Sequence, residues 1–557
     1  MIPATQYAVQ LVGPSELKLN TSKEVFKPGP HQVLCKVEAV GLCFSDLKLL
    51  KQFTEHPRKS GVVKGLGSDV LNQIPSYVPG TKPTVPGHEV TCRIVAVGEN
   101  VKRHQVGERV LVQTDYRDLP TAGSASAFGY NFEGALQEYV LMDERVVIDS
   151  TGERFLIPVD ETLSASAICL VEPWACVEDS YVNEERATLK SGGSLLIVSD
   201  APLATYLGAR EPAVSGEITA ANAVEVLRLP LSAAGGPRTV ALRSSRELAD
   251  LPNEGFDDII VCAPVRETVE LLSDKLAARG IINIVQCGQK LGAAANIGVG
   301  RVHYGMTRWI GTTGNEPAES YRWIPATGEI RDNDTVEVIG AGGPMGQMHV
   351  IRDVCAGKHN VKVVATDMDD SRLASLGQKA QPLAKARGAS LRLVNTAREK
   401  LTEKFSYIAL MAPVPALVAA AVNDAAPACL INIFAGIPAP VKHPIDLDTY
   451  IERHCYMFGT SGSTIRDMKL VLQKVQSGQL DTNCSVDAVS GMAGAKDGIA
   501  AVENRTLAGK IIVYPQLHEL PLTPLTELPA KFPTVAKLLK AGQWTRDAEQ
   551  ELLRVAK

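Results

Sequence analysis

The chain repeats itself, and the repeat is too long to be a stacking unit. Phe256–Val265 (FDDIIVCAPV) returns as Phe405–Val414 (FSYIALMAPV), 149 residues later (405 − 256 = 149). Ile282-Asn283-Ile284 returns as Ile431-Asn432-Ile433 at the same offset. Trp309–Gly314 (WIGTTG) returns as Met457–Gly462 (MFGTSG) at an offset of 148 (457 − 309 = 148). Three blocks in one order at spacings of 149, 149 and 148 describe a duplicated domain rather than a solenoid repeat.

Both copies alternate short apolar runs with helix-like segments, the pattern of a parallel sheet with crossover helices. Six strands are expected in each. In the first copy they are Ser194–Val198, Ala223–Leu229, Thr239–Leu242, Asp257–Ala263, Gly280–Cys287 and Arg308–Thr313. In the second they are Thr335–Gly340, Val361–Asp367, Ser390–Asn395, Phe405–Ala412, Ala428–Ala435 and Cys455–Thr460. Such a set winds into a doubly wound α/β unit. The first 150 or so residues differ: runs such as His31–Val40, Thr91–Val97 and Arg109–Gln113, separated by turns, read as an all-β module. Residues 51–86 interrupt it with a Gly/Pro/Ser/Lys-rich stretch expected to be a long loop or lid, and Thr534–Ala556 is expected to form a docked terminal helix.

Composition removes several function classes. A net charge of −5 gives no reason to expect nucleic acid or an anionic membrane as partner. No run of about 18 apolar residues suggests a membrane span, and the opening MIPATQYAVQ lacks the basic and then apolar pattern of a secretory signal. The 11 cysteines are scattered without a C-x-x-C pair, as expected of free thiols in a reducing cytoplasm.

The second copy opens with VEVIGAGGPMGQMHV, Val336–Val350: a strand, a glycine cluster, then a helix. Glycines let backbone N–H groups close on a pyrophosphate at a helix N-terminus. The candidate contacts are Gly340, Gly342, Gly343, Pro344, Met345 and Gly346, with Arg372 beyond. Asp367 ends the next strand, 21 residues after Gly346 (367 − 346 = 21), where an acid binds a ribose 2′-hydroxyl and repels a 2′-phosphate. NAD is therefore expected over NADP. Gly340, Gly342 and Gly346 are spaced one residue wider than the usual fingerprint, so a local bulge is expected. The first copy has no glycine at Ser199–Ala204 and no acid at Leu229-Pro230, and is expected to keep the fold without the dinucleotide site.

The β module carries GLCFSDLKLL (Gly41–Leu50) and PGHEV (Pro86–Val90), and VEPWACVEDSY (Val171–Tyr181) follows. Thiolate, imidazole and carboxylate make a plausible zinc shell with room for substrate. These segments, with VGERVLV (Val106–Val112), GALQEYV (Gly134–Val140) and the return segment Ala488–Pro515, resemble the zinc-dependent medium-chain dehydrogenases, in particular their sorbitol and sugar-polyol branch. The resemblance implies a GroES-like β module and a Rossmann-like domain; the second, tandem Rossmann-like unit is expected from the internal repeat and is not part of the common family plan. The bounds are 1–187 for the catalytic module, 188–329 for a degenerate first unit and 330–484 for the NAD-binding second. Residues 485–515 return to the catalytic module, and 516–557 form a tail.

By position, the resemblance implies Cys43 and His88 as zinc ligands, and Glu89 and Glu172 as a ligand and a close partner of the bound water, in either order. It implies Asp46 as the group orienting His88, and Ser45 as the hydroxyl that passes on the substrate proton. The Cys43–His88 spacing of 45 (88 − 43 = 45) is wider than usual, and residues 113–140 lack the cysteines of a structural zinc lobe. The implied activity is NAD-linked oxidation of a secondary alcohol in a polyol, sugar or sugar phosphate. Two other readings compete: an epimerase or lyase that oxidises its sugar transiently with tightly bound NAD, and a non-catalytic scaffold with a relict site. The partner is a small molecule. Because last strands pair edge to edge in dimeric relatives, the two α/β units are expected to pair within this chain, leaving homo-oligomers through other surfaces open.

Overall fold

The computed structural model describes residues 2–59, 61, 63–199 and 220–556. The chain forms two compact units, Met1–Glu178 with Gly462–Lys557, and Asp179–Ser461. These divisions fall at 178/179 and 461/462, whereas the sequence reading sets them at 187/188 and 484/485. No helix among the described residues is long and apolar enough to cross a membrane.

The first unit is built on an eight-stranded sheet in which the long strand Gln32–Gly41 pairs antiparallel with Glu89–Val97 and Tyr139–Asp143. The return segment supplies Val486–Ser490 and Lys510–Val513, and the latter lies antiparallel to Gln32–Gly41 through Ile512↔Gly41 and Val513↔Val40. The expected lid at 51–86 is instead packed structure. Its backbone is polar in composition, yet Phe53, Leu71, Ile74 and Tyr77 are spaced through it and join the core of this unit, because burying them offsets the loop's lost entropy. The tail also differs. It breaks into Leu528–Lys531, Pro533–Ala536 and Arg546–Val555. Glu549 on the last of these accepts hydrogen bonds from the Ala165 and Ser166 N–H groups at 2.7 and 2.8 Å, satisfying donors at the start of the helix Ala165–Cys169.

The second unit contains two parallel sheets. One has strands in the order Thr239–Arg243, Ser194–Ser199, Phe256–Cys262, Leu276–Val285, Arg308–Thr312. The other runs Ser390–Asn395, Lys362–Asp367, Thr335–Ile339, Phe405–Leu410, Ala425–Ile433, Tyr456–Phe458. The strand expected at Ala223–Leu229 is absent: Ala220–Val226 is helical, and Thr239–Arg243 is the neighbour of the first strand. The turn at residues 200–204, read as glycine-free, lies outside the described residues.

From Phe256 onward the two sheets share an order of elements, although their strands differ in length by one or two residues. The helices Arg266–Lys275 and Pro415–Asp424 have equal length, as do Val299–Tyr304 and Leu447–Glu452. The register slips after Phe256↔Leu276 in one sheet and after Phe405↔Ala425 in the other. Arg279 and Ala428 carry the same left-handed backbone, φ 58° and 57°. Asn283 and Asn432, the centres of the repeated Ile-Asn-Ile, are both buried and both donate from Nδ2, to Pro317 O at 2.8 Å and Ser180 Oγ at 3.0 Å.

The last strands, Arg308–Thr312 and Tyr456–Phe458, end separate sheets and do not form the edge-to-edge ladder expected of them; among the described residues the two sheets meet through another pair of strands. Ala295–Ile297 pairs antiparallel with its own counterpart His443–Ile445, as Ala295↔Ile445, Asn296↔Pro444 and Ile297↔His443. That register is the one a local two-fold axis through Asn296 and Pro444 requires. A Cβ on Gly311 would stand 2.7 Å from Ile451, and Tyr450 Oη donates to Trp309 O at 2.7 Å. Glu185 joins the last strands: Arg308 Nε and Nη2 reach its carboxylate at 2.7 and 2.9 Å, and Tyr456 Oη donates to it at 2.6 Å. A single hydrophobic core containing Ile282, Trp309, Ile431, Ile451 and Met457 serves both sheets.

Candidate functional site

Cys43 follows the strand Gln32–Gly41 and precedes the helix Phe44–Gln52; His88 and Glu89 open the strand Glu89–Val97. Gly41 lies opposite Glu89 in the ladder. A Cβ on Gly41 would sit 2.2 Å from Glu89 Oε2, so only glycine leaves this carboxylate its place. The ligand atoms of Cys43, His88 and Glu89 lie within 4.8 Å of one another. Glu172, on the helix Val171–Val182, stands outside that group, yet it is buried and feels the charges of His88, Glu89, Asp115 and Lys510.

Asp46 reaches back from the first helical turn. One oxygen accepts from the Cys43 N–H at 3.2 Å, and the other lies 3.0 Å from His88 Nδ1. With Nδ1 donating to a carboxylate, the lone pair is left on Nε2. Ser45 Oγ lies 3.1 Å from Cys43 Sγ and 3.0 Å from His88 Nε2.

The pocket carries an excess of negative groups. Burial opposes charge on His88, but Asp46 and Cys43 outweigh it and hold the imidazole well above its ordinary pKa. Burial first, and then Glu89 and Asp115, push Glu172 up to about 7. Glu89 Oε2 is buried and has no hydrogen-bond partner among the described residues. A thiolate, an imidazole nitrogen and a carboxylate with an unused oxygen are the donors a zinc ion takes, and its binding would displace the proton that Asp46 and Cys43 favour on His88. The residues present therefore fit the metal. Asp46→Asn is expected to weaken its binding by roughly 10- to 100-fold, since groups that orient a ligating histidine contribute about that much; competition against a chromogenic chelator reads it, and unchanged affinity would remove Asp46 from this role.

Two groups of this pocket, Lys510 and Cys176, went unrecognised in the sequence, and a third, Arg58, is among its candidate anion contacts but is not placed beside the ligand residues by it. Lys510, from the return strand, forms a buried ion pair with Glu89 Oε1. Its only signal was its position at the head of KIIV. Cys176 lies one helical turn after Glu172, its Sγ 3.8 Å from Glu172 Oε1. Arg58 pairs with Asp115 and sits 5.4 Å above the Tyr130 ring, whose centroid is 6.1 Å from that of His88.

The glycine cluster lies in the second unit. Gly340 turns the chain out of its strand at φ 81°, a conformation that favours glycine. Gly346 packs the helix Pro344–Cys355 onto that turn: a Cβ there would meet Gly340 O at 2.3 Å and Ala341 Cα at 2.7 Å. Gly342 lies against Asp367 and Arg372, and its N–H donates to Asp367 Oδ2 at 2.9 Å. Gly343 caps the helix without a side chain, Pro344 takes the first helical position, and Gly343, Pro344 and Met345 are half-exposed there. Asp367 Oδ1 accepts from the Met368 and Asp369 N–H groups at 2.8 and 3.1 Å. A helix start with open N–H groups, a surface no Cβ obstructs at Gly343, and an acid at the end of the neighbouring strand fit the pyrophosphate and ribose of a dinucleotide.

Comparison with known proteins finds relatives for the chain. Residues 29–151 match the family model described as the alcohol dehydrogenase GroES-like domain. The chain is 26% identical over 361 residues to the L-sorbose 1-phosphate reductase of Klebsiella pneumoniae, covering 60% of this chain and 82% of that protein. It is 25% identical over 305 residues to the mannitol-1-phosphate 5-dehydrogenase of Aliivibrio fischeri (strain ATCC 700601 / ES114), covering 48% and 69%. Among solved structures, AibC superposes with a TM-score of 0.50 at 13% identity, covering 92% of this chain and 96% of that one, a likeness of fold.

Proposed function

We infer that this chain, a member of the medium-chain dehydrogenase/reductase family by its GroES-like module and its polyol and sugar-phosphate dehydrogenase relatives, is a zinc- and NAD-dependent oxidoreductase acting on a secondary alcohol of a polyol, sugar or sugar phosphate. The convergence of Cys43, His88 and Glu89 within 4.8 Å carries the reading, because it unites three donors from distant sequence positions beside a buried acid.

In this reading Cys43 Sγ, His88 Nε2 and a Glu89 oxygen would hold a zinc ion, which would supply a Lewis acid to the alcohol oxidation. Asp46 fixes the His88 tautomer and ring plane. Lys510 neutralises the Glu89 oxygen it pairs with and limits the charge the buried pocket must bear. Ser45, within hydrogen-bond reach of Cys43 and His88, takes the proton of the substrate hydroxyl, and Glu172 accepts it onward. NAD supplies the hydride acceptor. Its pyrophosphate is assigned to the Met345 and Gly346 N–H groups at the helix start, which Gly343 caps and Pro344 opens without an N–H of its own, and its adenosine ribose to Asp367, with Arg372 alongside.

Asp367→Ala is expected to raise the KM for NAD by roughly 10- to 100-fold, the worth of one charge-assisted hydrogen bond, and to narrow the preference over NADP. Steady-state kinetics with both cofactors checks this. A preference ratio unchanged by the substitution would take the ribose away from Asp367.

We propose further that the first parallel sheet is a second copy of the same Rossmann-like unit, and that its work is structural. The matched registers and the two-fold pairing of Ala295–Ile297 with His443–Ile445 support this. The reading as a whole is tested by following NADH formation by the zinc-loaded protein across polyols, sugars and sugar phosphates. Turnover with one of these classes is expected; none with any, despite bound zinc and NAD, would reject it.

A further inference from the structure

Five cations in this sequence are candidates to meet an anionic substrate: Arg58, Lys59, Lys64, Arg117 and Arg301. The structure separates them. Lys59 is fully buried, and its ammonium is spent on the Val78 and Lys82 carbonyls. Lys64 and Arg117 are exposed, and Arg117 Nη2 donates to Ser463 O at 2.8 Å. Arg301 is in the other unit, bound to Ser273 O at 3.3 Å and to Glu254 at 3.5 Å. Arg58 is half-buried and feels the charge of Glu172.

Its setting is built rather than incidental. Asp115 takes Nη1 of the guanidinium, the Tyr130 ring lies 5.4 Å below it, and 29% of the side chain remains exposed. A guanidinium carries five N–H donors, so among the described residues most of its donor edge is uncommitted. His56 lies against the same tyrosine, ring centroids 5.1 Å apart. Its Nδ1 accepts from the Arg58 backbone N–H at 3.2 Å, which places its proton on Nε2 as a second donor. Burial first, and then Arg58 and Lys48, lower His56 to about 4, so it stays neutral near pH 7. Both residues come from the 51–86 stretch that widens the Cys43–His88 spacing. That insertion thus delivers a cation and a neutral donor to a pocket otherwise rich in carboxylates.

We propose that Arg58, with His56 beside it, recognises a phosphate monoester on the substrate, so that the preferred alcohols are polyol or sugar phosphates. This rests on the oxidoreductase reading above and narrows its substrate class. A planar fork that can pair two phosphate oxygens suits the task better than a lysine, and without such a cation the surrounding acids would repel a dianion.

The test compares the full, zinc-loaded chain with Arg58→Gln and Arg58→Lys. The readouts are the ratio of kcat/KM for a hexitol monophosphate to that for the unphosphorylated hexitol, and the inhibition constant of inorganic phosphate. The ratio is expected to fall at least tenfold in Arg58→Gln and phosphate inhibition to weaken in parallel, with Arg58→Lys intermediate. A ratio that stays the same while both substrates suffer equally would overturn the proposal and leave Arg58 as the partner of Asp115. Calorimetric binding of inorganic phosphate needs no turnover. Wild-type protein that binds phosphate through Arg58 yet forms no NADH would overturn the oxidoreductase reading while upholding this one.

Discussion

Replacing Cys43 by alanine is expected to abolish stoichiometric zinc binding and to cut kcat/KM for alcohol oxidation by roughly a thousandfold or more. The size follows from what is removed: a Lewis acid at a reacting oxygen contributes several kcal/mol, and each 1.4 kcal/mol is about tenfold in rate. The fold should survive, since Cys43 is only half-buried and sits at a helix start whose cap is made by Asp46 to the backbone. Metal analysis beside turnover, with circular dichroism as a control, separates the effects. Retained zinc with lost activity would move the metal ligand elsewhere, and retained activity would remove Cys43 from the chemistry.

Glu185→Ala is expected to be the most damaging single change to the second unit, lowering its stability by about 3–5 kcal/mol and its melting temperature by on the order of 10 °C. The Arg308–Glu185 pair is buried on both sides, with side chains 5% and 4% exposed, and removing one partner strands a charged guanidinium. The damage falls on the junction of the two sheets, because Arg308 and Tyr456, counterparts in the repeat, share this carboxylate. Burial raises Glu185, but Arg308 outweighs it and holds the carboxyl below its ordinary value. Its contribution is therefore present above the unfolded carboxylate pKa and is lost as pH falls through the lower, folded value. Denaturation of Glu185→Gln should be less acid-dependent than that of the wild type. An Ala variant with an unchanged melting temperature would mean that the two sheets are held together without this pair.

The repeat was legible because parallel strands buried on both faces read as unbroken apolar runs, and Ile-Asn-Ile at 282–284 and 431–433 is hard to miss against them. The same rule misled at Ala223–Leu229. Seven apolar-rich residues fit a strand and a short helix equally well by periodicity, and the helix prevailed. At 51–86 composition outweighed position: the glycines, prolines and lysines concealed five spaced apolar residues, Phe53, Leu71, Ile74, Tyr77 and Val85, that anchor the segment. Cys43, His88 and Glu89 stood out because their flanking residues are distinctive, whereas Lys510 and Arg58 did not. Each acts on a residue more than 100 positions away, Glu89 for one and Glu172 for the other, and only the folded chain brings them together.

The most direct measurement follows the hydride. A polyol phosphate deuterated at its carbinol carbons is turned over with NAD by chelator-stripped protein and by the same protein reloaded with zinc, and the mass of the free cofactor is read. The account predicts singly deuterated NADH, released to solution in proportion to product, from the zinc-loaded protein alone. Product formed without released NADH, or equal rates with and without zinc, would contradict it.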